Sequence, residues 1–191
     1  MARDVRAQIG QRHRIEHVVR VARMAERLAV AHGLPGEAAR TAGMLHDLAR
    51  LYPAERLIRE CTQRGMAVDD FERANPVVLH ARLSAELARE RFGVGDEGVL
   101  SAIRKHTVAD AVMSPLDVVV YLADGLEPGR DYPERAAFAA LAARDLGAAM
   151  RAVLASTIDH LRRRGLAVAP QTLAAAAAYG LAAIPQENCP A

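Results

Sequence analysis

An all-α fold is the class this sequence predicts, and three observations carry it. No segment sustains the alternating Val/Ile/Thr pattern of a half-buried strand. Apolar residues recur instead at helical spacing, as in Val18, Val21, Ala22, Ala25, Leu28 and Ala29. Alanine and leucine dominate the composition, and Trp is absent. At 191 residues the chain suits one domain over 1–191 with a sizeable core, spanning about 14–182.

Taken in order, residues 4–11 predict a lead-in helix with Asp4 as cap and Val5 and Ile9 on its apolar face. A long helix runs from Arg14 to His32, stopped by Gly33 just past its end. Glu37 to Leu48 is the next, and its small residues Ala42 and Gly43 permit a close helix contact that would bring His46 and Asp47 near His17. Pro53 to Arg64 is amphipathic and ends at Gly65; residues 66–75 form a connection with short helical turns. Asn75-Pro76 is a cap followed by proline at the first helical position, opening a helix to Gly93. Gly95 or Asp96 starts a helix reaching His106, whose imidazole shares a face with Ile103.

Ser114-Pro115-Leu116-Asp117 combines a Ser cap, a first-turn proline and an acid at the third position. The helix it opens, through Val118-Val119-Val120-Tyr121-Leu122-Ala123, is apolar all round and therefore predicted to be buried. Residues 127–131 then turn and return Arg130 to the helix end. One or two helices follow to Leu161, divided at Gly147 and stopped by Gly165. After an extended 166–170, a final alanine-rich helix starts at Thr172, and the chain frays beyond Pro185.

Composition excludes several classes. A net charge of +2 lacks the basic face of a nucleic-acid binder, and Arg162-Arg163-Arg164 reads as a solvated helix end. Cys61 and Cys189 form no C-x-x-C pair, so neither a thiolate zinc site nor a disulfide framework is expected. The N-terminus shows no apolar signal region, and Leu173 to Ala178 is too short to span a bilayer. These features predict a soluble, cytoplasmic protein with no membrane partner. No heptad seam stands out, which leaves a homodimer open.

The chemistry centres on Met44 to Arg50 and its His46-Asp47 pair. His17 lies upstream, and His80, His106 and Asp124 downstream, each within an apolar helical pattern. Buried polar groups cost free energy unless paired or bound, and six together call for a shared metal partner. Imidazole and carboxylate without thiolate select iron, manganese, zinc or cobalt. His17, His46, Asp47 and Asp124 suffice for one ion. His80 and His106 are a surplus that argues for a second, with Asp47 bridging. A metal-bound water becomes nucleophilic near neutral pH and two ions clamp a phosphoryl oxygen, so phosphoester or phosphoanhydride hydrolysis follows. Asp47, His80, His106 and Arg130 are the catalytic candidates, with His80, His106, Asp124 and Arg130 also facing phosphate. His13, His32 and His160 read as surface or structural residues.

The order His17, His46-Asp47, Asp124 resembles the signature of the HD-domain phosphohydrolases. Ala102-Ile103-Arg104-Lys105-His106-Thr107 and Leu122-Ala123-Asp124-Gly125-Leu126-Glu127-Pro128-Gly129-Arg130-Asp131 are similar to the YqeK family of symmetrical diadenosine tetraphosphate hydrolases. The likeness runs from about Arg14 to Thr172. It implies an all-α HD domain and a di-iron centre. His17, His46, Asp47 and Asp124 would hold one iron; Asp47, His80 and His106 would hold the other with water. It implies further that an activated water attacks a phosphorus of a dinucleoside polyphosphate, giving two ADP. Arg50 and Arg130 would contact phosphate, while Thr107 and Pro170-Gln171-Thr172 would face the nucleotide. The chain departs from the family's pattern at Ala81-Arg82 and at Val108-Ala109-Asp110. Its rivals are an HD enzyme for deoxynucleoside monophosphates or guanosine alarmones, and a non-catalytic nucleotide sensor.

Overall fold

The structure is a computed structural model that describes residues 2–181. The expected fraying after Pro185 and the second cysteine, Cys189, lie outside the described residues. Within them the chain forms eleven α-helices and no strand. These are α1 (Ala2–Ile9), α2 (Arg12–Ala31), α3 (Gly36–Leu45), α4 (Ala54–Gln63), α5 (Asp70–Ala74) and α6 (Leu79–Phe92). They continue as α7 (Glu97–Lys105), α8 (Pro115–Leu126), α9 (Arg135–Ala142), α10 (Leu146–Arg163) and α11 (Pro170–Ala178). The all-α class read from apolar periodicity is the class observed. None of the described helices is long and apolar enough to cross a membrane.

Four helices form a ring: α2 packs along α3, α3 on α7, α7 on α8, and α8 back on α2, with α6 against α7. One apolar cluster joins α1, α3, α4, α6 and α7; a second lies among α2, α8, α9, α10 and α11. The helix α8 belongs to both faces of the ring. Val118, Val119, Val120, Tyr121, Leu122, Ala123 and Leu126 are all buried, as an all-round apolar helix requires. Its start is the expected capping box. The Ser114 hydroxyl accepts from Asp117 N at 3.1 Å, and the Asp117 carboxylate accepts from Ser114 N at 2.8 Å.

Several boundaries differ from expectation, each for a local reason. The third helix ends at Leu45, not Leu48, and His46 to Arg50 continue as tight turns with Arg50 N bonded to Asp47 O. Ser84 of α6 holds that turn by accepting Ala49 N at 3.1 Å. Asn75 does not cap a helix: its amide donates to Phe71 O at the end of α5, and Pro76–Val78 make a 3₁₀ turn before α6. Asp69 is the true cap in this region, in a reciprocal box with Glu72. The break between α9 and α10 lies at Asp145, whose carboxylate caps Ala148 N at 2.9 Å, and Gly147 sits inside the first turn. The last helix begins at Pro170 rather than Thr172.

The small-residue contact expected between the second and third helices is present. A Cβ built on Gly43 would lie 2.7 Å from Ala22 Cα and 3.0 Å from Ala22 N. Those are backbone atoms of a neighbouring helix, which cannot step aside as a flexible side chain can. Gly43→Ala must therefore push α3 away from α2 and should destabilise the fold by about 1–3 kcal/mol, the range for overpacking. Urea unfolding monitored by circular dichroism checks this; an unchanged midpoint would show that the two backbones can separate freely.

Candidate active site

Each histidine of the cluster is oriented by its Nδ1. His46 and His106 cap the C-terminal ends of α3 and α7, and His80 follows the 3₁₀ turn. Each donates Nδ1–H to the carbonyl three residues earlier: His46 to Gly43 at 2.8 Å, His80 to Val77 at 2.5 Å, His106 to Ile103 at 2.8 Å. A carbonyl only accepts, so the Nδ1 proton is engaged there and Nε2 points inward. His17, on α2, does the same with a side chain, donating to Glu127 Oε1 at 3.1 Å.

The four Nε2 atoms meet around Asp47, which is 3% exposed. Its two oxygens face different pairs. Oδ2 lies 3.4 Å from His46 Nε2 and 3.7 Å from His17 Nε2. Oδ1 lies 3.2 Å from His80 Nε2 and 3.9 Å from His106 Nε2. Asp124 adds Oδ1 at 3.0 Å from His17 and 3.8 Å from His46. The structure thus brings all six sequence-derived donors together from five helical segments.

Burial would raise the Asp47 carboxyl, but His46 and then His80 outweigh it and hold the group well below the usual carboxylate range. Asp124 is held low as well, its burial offset by the hydrogen bond from His17 and the charges of His46 and Arg130. His106 is driven down to about 3, first by burial and then by its imidazole neighbours. Both carboxylates are therefore charged and His106 neutral near pH 7, the states in which such groups ligate cations.

The donor set fits divalent ions on two further observations. His46 Nε2 is buried with no hydrogen-bond partner. His80 Nε2 and His106 Nε2 face one another at 3.1 Å although both rings have their Nδ1 proton assigned elsewhere. Two lone pairs at that separation repel unless a cation or proton stands with them. Three overlapping sets have ligand atoms all within 4.8 Å of one another: His17-His46-Asp47, His46-His106-Asp124 and Asp47-His80-His106. Among the described residues no cysteine takes part. Cys61 is buried in α4, where desolvation pushes its thiol up to about 11.

Beside the cluster lies a cavity of about 210 Å³, lined by Arg14, Asp47, Arg50, Val77, His80, His106, Thr107, Asp124 and Arg130. Arg130 returns to the end of α8 as expected, donating Nε to Asp124 O at 2.9 Å and Nη2 to Asp124 Oδ1 at 2.6 Å. Arg50 makes no side-chain bond with any described residue. Thr107 Oγ1 lies 3.0 Å from His106 Nε2 and 3.3 Å from His80 Nε2. Pro170, Gln171 and Thr172 do not line this cavity. Thr172 is buried and donates to Val108 O at 2.8 Å, and Gln171 reaches Asp69 at 3.5 Å. His32 bonds to Ala142 O at 2.7 Å, the structural use expected of it.

Sequence reasoning gave no role to Arg14 or Glu127. Arg14 Nη1 donates to Asp47 Oδ2 at 2.9 Å. Glu127 accepts from His17, from Arg20 Nε at 2.5 Å and Nη2 at 3.2 Å, and from Gly129 N at 2.6 Å. Burial raises its carboxyl, yet the Arg20 and His17 bonds bring it down to about 2. A Cβ at Gly129 would lie 2.4 Å from Arg20 Nη2, so a side chain there would displace the guanidinium from its place beside Glu127.

An all-helical ring that points imidazoles and carboxylates at one centre is the architecture of a known class. Residues 14–129 match the HD domain, and the chain belongs to that family. A "Bis(5'-nucleosyl)-tetraphosphatase, symmetrical" from Halalkalibacterium halodurans is 33% identical over 85% of this chain and 86% of its own length. A "Probable nicotinate-nucleotide adenylyltransferase/Ap4A hydrolase" from Mycoplasma pneumoniae is 40% identical over 63% of this chain, a match that spans only 34% of that longer protein. The fold is shared with a crystal structure from Clostridium acetobutylicum described as a "predicted HD superfamily hydrolase involved in NAD metabolism". There the TM-score is 0.90 at 31% identity, covering 93% of this chain and 94% of that one.

Glu127→Gln keeps the size of the side chain but removes the charge that orients His17 and Arg20. Loss of such an outer partner typically weakens metal affinity about 10–100-fold. Titration of chelator-stripped protein with Mn²⁺ should show that loss, and wild-type affinity in the variant would refute the orienting role.

Proposed function

We propose that this chain is a metal-dependent symmetrical bis(5'-nucleosyl)-tetraphosphatase that cleaves diadenosine tetraphosphate into two molecules of ADP. The observation that carries the reading is Asp47, whose two oxygens are divided between two histidine pairs at the floor of an arginine-lined cavity. The names of the relatives supply the substrate. In this reading His17, His46, Asp47 and Asp124 hold one divalent ion, and Asp47, His80 and His106 hold a second. Iron is the proposed metal. An ion pair of this kind supplies Lewis acidity and a nucleophilic water at neutral pH.

The protein's own groups do the rest. Arg50, without a partner among the described residues, and Arg130 offer planar donors to phosphate oxygens and stabilise the charge that grows as a phosphoanhydride breaks. The Thr107 hydroxyl, beside His80 and His106, is placed to donate to a phosphate oxygen. The cavity is smaller than the roughly 300–1,000 Å³ common for organic ligands, so it suits the phosphate chain rather than a whole dinucleotide. The nucleoside ends extend beyond it, and the proposed contacts of Pro170, Gln171 and Thr172 would be with such an end.

One departure from the family pattern now has a structural use. Arg82 bonds to Glu72 at 2.6 and 2.8 Å and to Ala67 O at 2.9 Å, which ties α6 to the α5 connection and not to the cavity. Ala81 beside it is buried. Single-domain organisation and action in the cytoplasm complete the reading.

Incubating the purified protein with diadenosine tetraphosphate should yield ADP alone. ATP plus AMP would exclude symmetrical cleavage, and turnover only of deoxynucleoside monophosphates or guanosine alarmones would move the protein to another HD activity. In protein purified anaerobically, Asp47→Ala should lose both ions and nearly all turnover. Elemental analysis that still finds two metals per chain would rule out the bridging role.

A further inference from the structure

We propose that the Thr172 hydroxyl of α11 is a positioning group for phosphate binding, acting through Val108 on the neighbouring Thr107. The inference rests on the function proposed above, in which Thr107 donates to a phosphate oxygen. It goes further by giving the last helix a part in the site that needs no contact with the substrate.

The stretch from the end of α7 to α8 carries two residues of the cavity wall, His106 and Thr107. They are held in different ways. The His106 ring is aimed from within α7 by the carbonyl of Ile103. Thr107 stands one residue further on, in a turn that closes at Ala109, whose amide bonds back to Lys105 O at 3.0 Å. Its Oγ1 lies 3.0 Å from His106 Nε2 and 3.3 Å from His80 Nε2. Hydrogen bonds weaken steeply beyond such distances, so a modest shift of the turn would take the hydroxyl out of place.

The turn is also strained. Ala109 has a φ of 59°, and among the described residues it is the one non-glycine with a positive φ. A Cβ disfavours that left-handed conformation, which is why glycine is usual just past a helix. Such a backbone persists only where surrounding contacts over-determine it. Those contacts lie on both sides. Beyond Ala109, Lys105 Nζ donates to Val112 O at 2.7 Å and to the buried Asp117 carboxylate at 3.1 Å. Before it, Thr172 Oγ1 donates to Val108 O at 2.8 Å, across 64 residues of chain. That oxygen belongs to the peptide entering Ala109, one residue after Thr107.

Thr172 is well anchored for this task. It is buried in the first turn of α11, and Ala175 on the same helix packs in the apolar cluster that contains Ala109. A hydroxyl has one proton to give, and this one is committed to a carbonyl. Thr172 therefore acts on a bound phosphate through the turn, whichever side chains at the start of α11 a nucleoside touches.

Calorimetric titration of the Mn²⁺-loaded protein with ADP tests this as a double-mutant cycle. Thr172→Val exchanges the hydroxyl for a methyl of similar size and should weaken ADP binding roughly 2–10-fold, the equivalent of one hydrogen bond. Thr172→Ser keeps the hydroxyl and should bind ADP as wild type does. Adding Thr172→Val to Thr107→Val should cause no further loss, because the group being positioned is already gone. The Mn²⁺ affinity of chelator-stripped Thr172→Val should match wild type, since His106 is aimed from within α7. Thr172→Ala gives the same reading if the valine variant does not fold. Unchanged ADP affinity in the variants without the hydroxyl overturns the proposal, as does weakened Mn²⁺ binding. Losses that add in the double variant overturn it too, being the mark of a direct contact or a general loosening. If wild type cleaves diadenosine tetraphosphate to ADP while Thr172→Val keeps its ADP affinity, the inference fails and the proposed function stands. If the two losses do not add but wild type leaves diadenosine tetraphosphate intact, the proposed function fails and the role of Thr172 stands.

Discussion

The contact of Gly43 with the Ala22 backbone sets the distances on which the site depends. The helix α2 carries His17, and α3 ends in His46 and Asp47. Helices normally pack 8–10 Å apart, with the spacing set by the side chains at their contact. A residue without a Cβ at that contact lets the axes approach closely enough for His17 Nε2 to come within 3.7 Å of Asp47 Oδ2. The carbonyl of Gly43 also accepts the Nδ1 proton of His46. One small residue thus governs both the separation of two helices and the direction of a ring.

Around that contact, backbone geometry orients the donors. Three of the four histidines are turned by a carbonyl three residues back, a bond that ends a helical stretch and aims a ring with the same atoms. The fourth, His17, lies within a helix, where the nearby carbonyls are already bonded. Its orientation requires a carboxylate from elsewhere, and Glu127 supplies it. Glu127 in turn holds Arg20 and the Gly129 amide, so the turn carrying Arg130 is tied to the ring of His17. His17 and the turn that carries Arg130 are thus linked through one carboxylate.

Electrostatics explains why such a cluster can exist in a folded protein. Buried carboxylates are costly unless paired. Asp47 and Asp124 are paired by arginines from opposite ends of the motif, and both remain charged. The arrangement leaves unshielded imidazole lone pairs at the centre and a surplus of guanidinium on the cavity wall. That combination suits the proposed cations below and phosphates above, the chemistry of the proposed phosphoanhydride hydrolase.

Much of this was readable along the chain. Helical periodicity and the stops at Gly33, Gly65, Gly93 and Gly165 define most elements, because helix formation and capping are local. The six donors were also legible, since polar residues inside apolar helical patterns are conspicuous. Local signals failed where two readings competed for one residue. Asn75 could cap the helix after it or close the one before it, and the backbone chose the second. Asp145 overrode Gly147 because a side-chain cap needs only nearby amides. Arg14, Glu127 and Arg82 have partners 33, 110 and 10 residues away, so their uses are invisible to spacing alone. The sequence by itself determined the helices, the donor types and the family likeness, because these follow from short-range pattern. Only the tertiary structure decided which oxygen of Asp47 meets which histidines and which arginines face the cavity. Those are distances between helices far apart in the chain, and they exist only once the ring has closed.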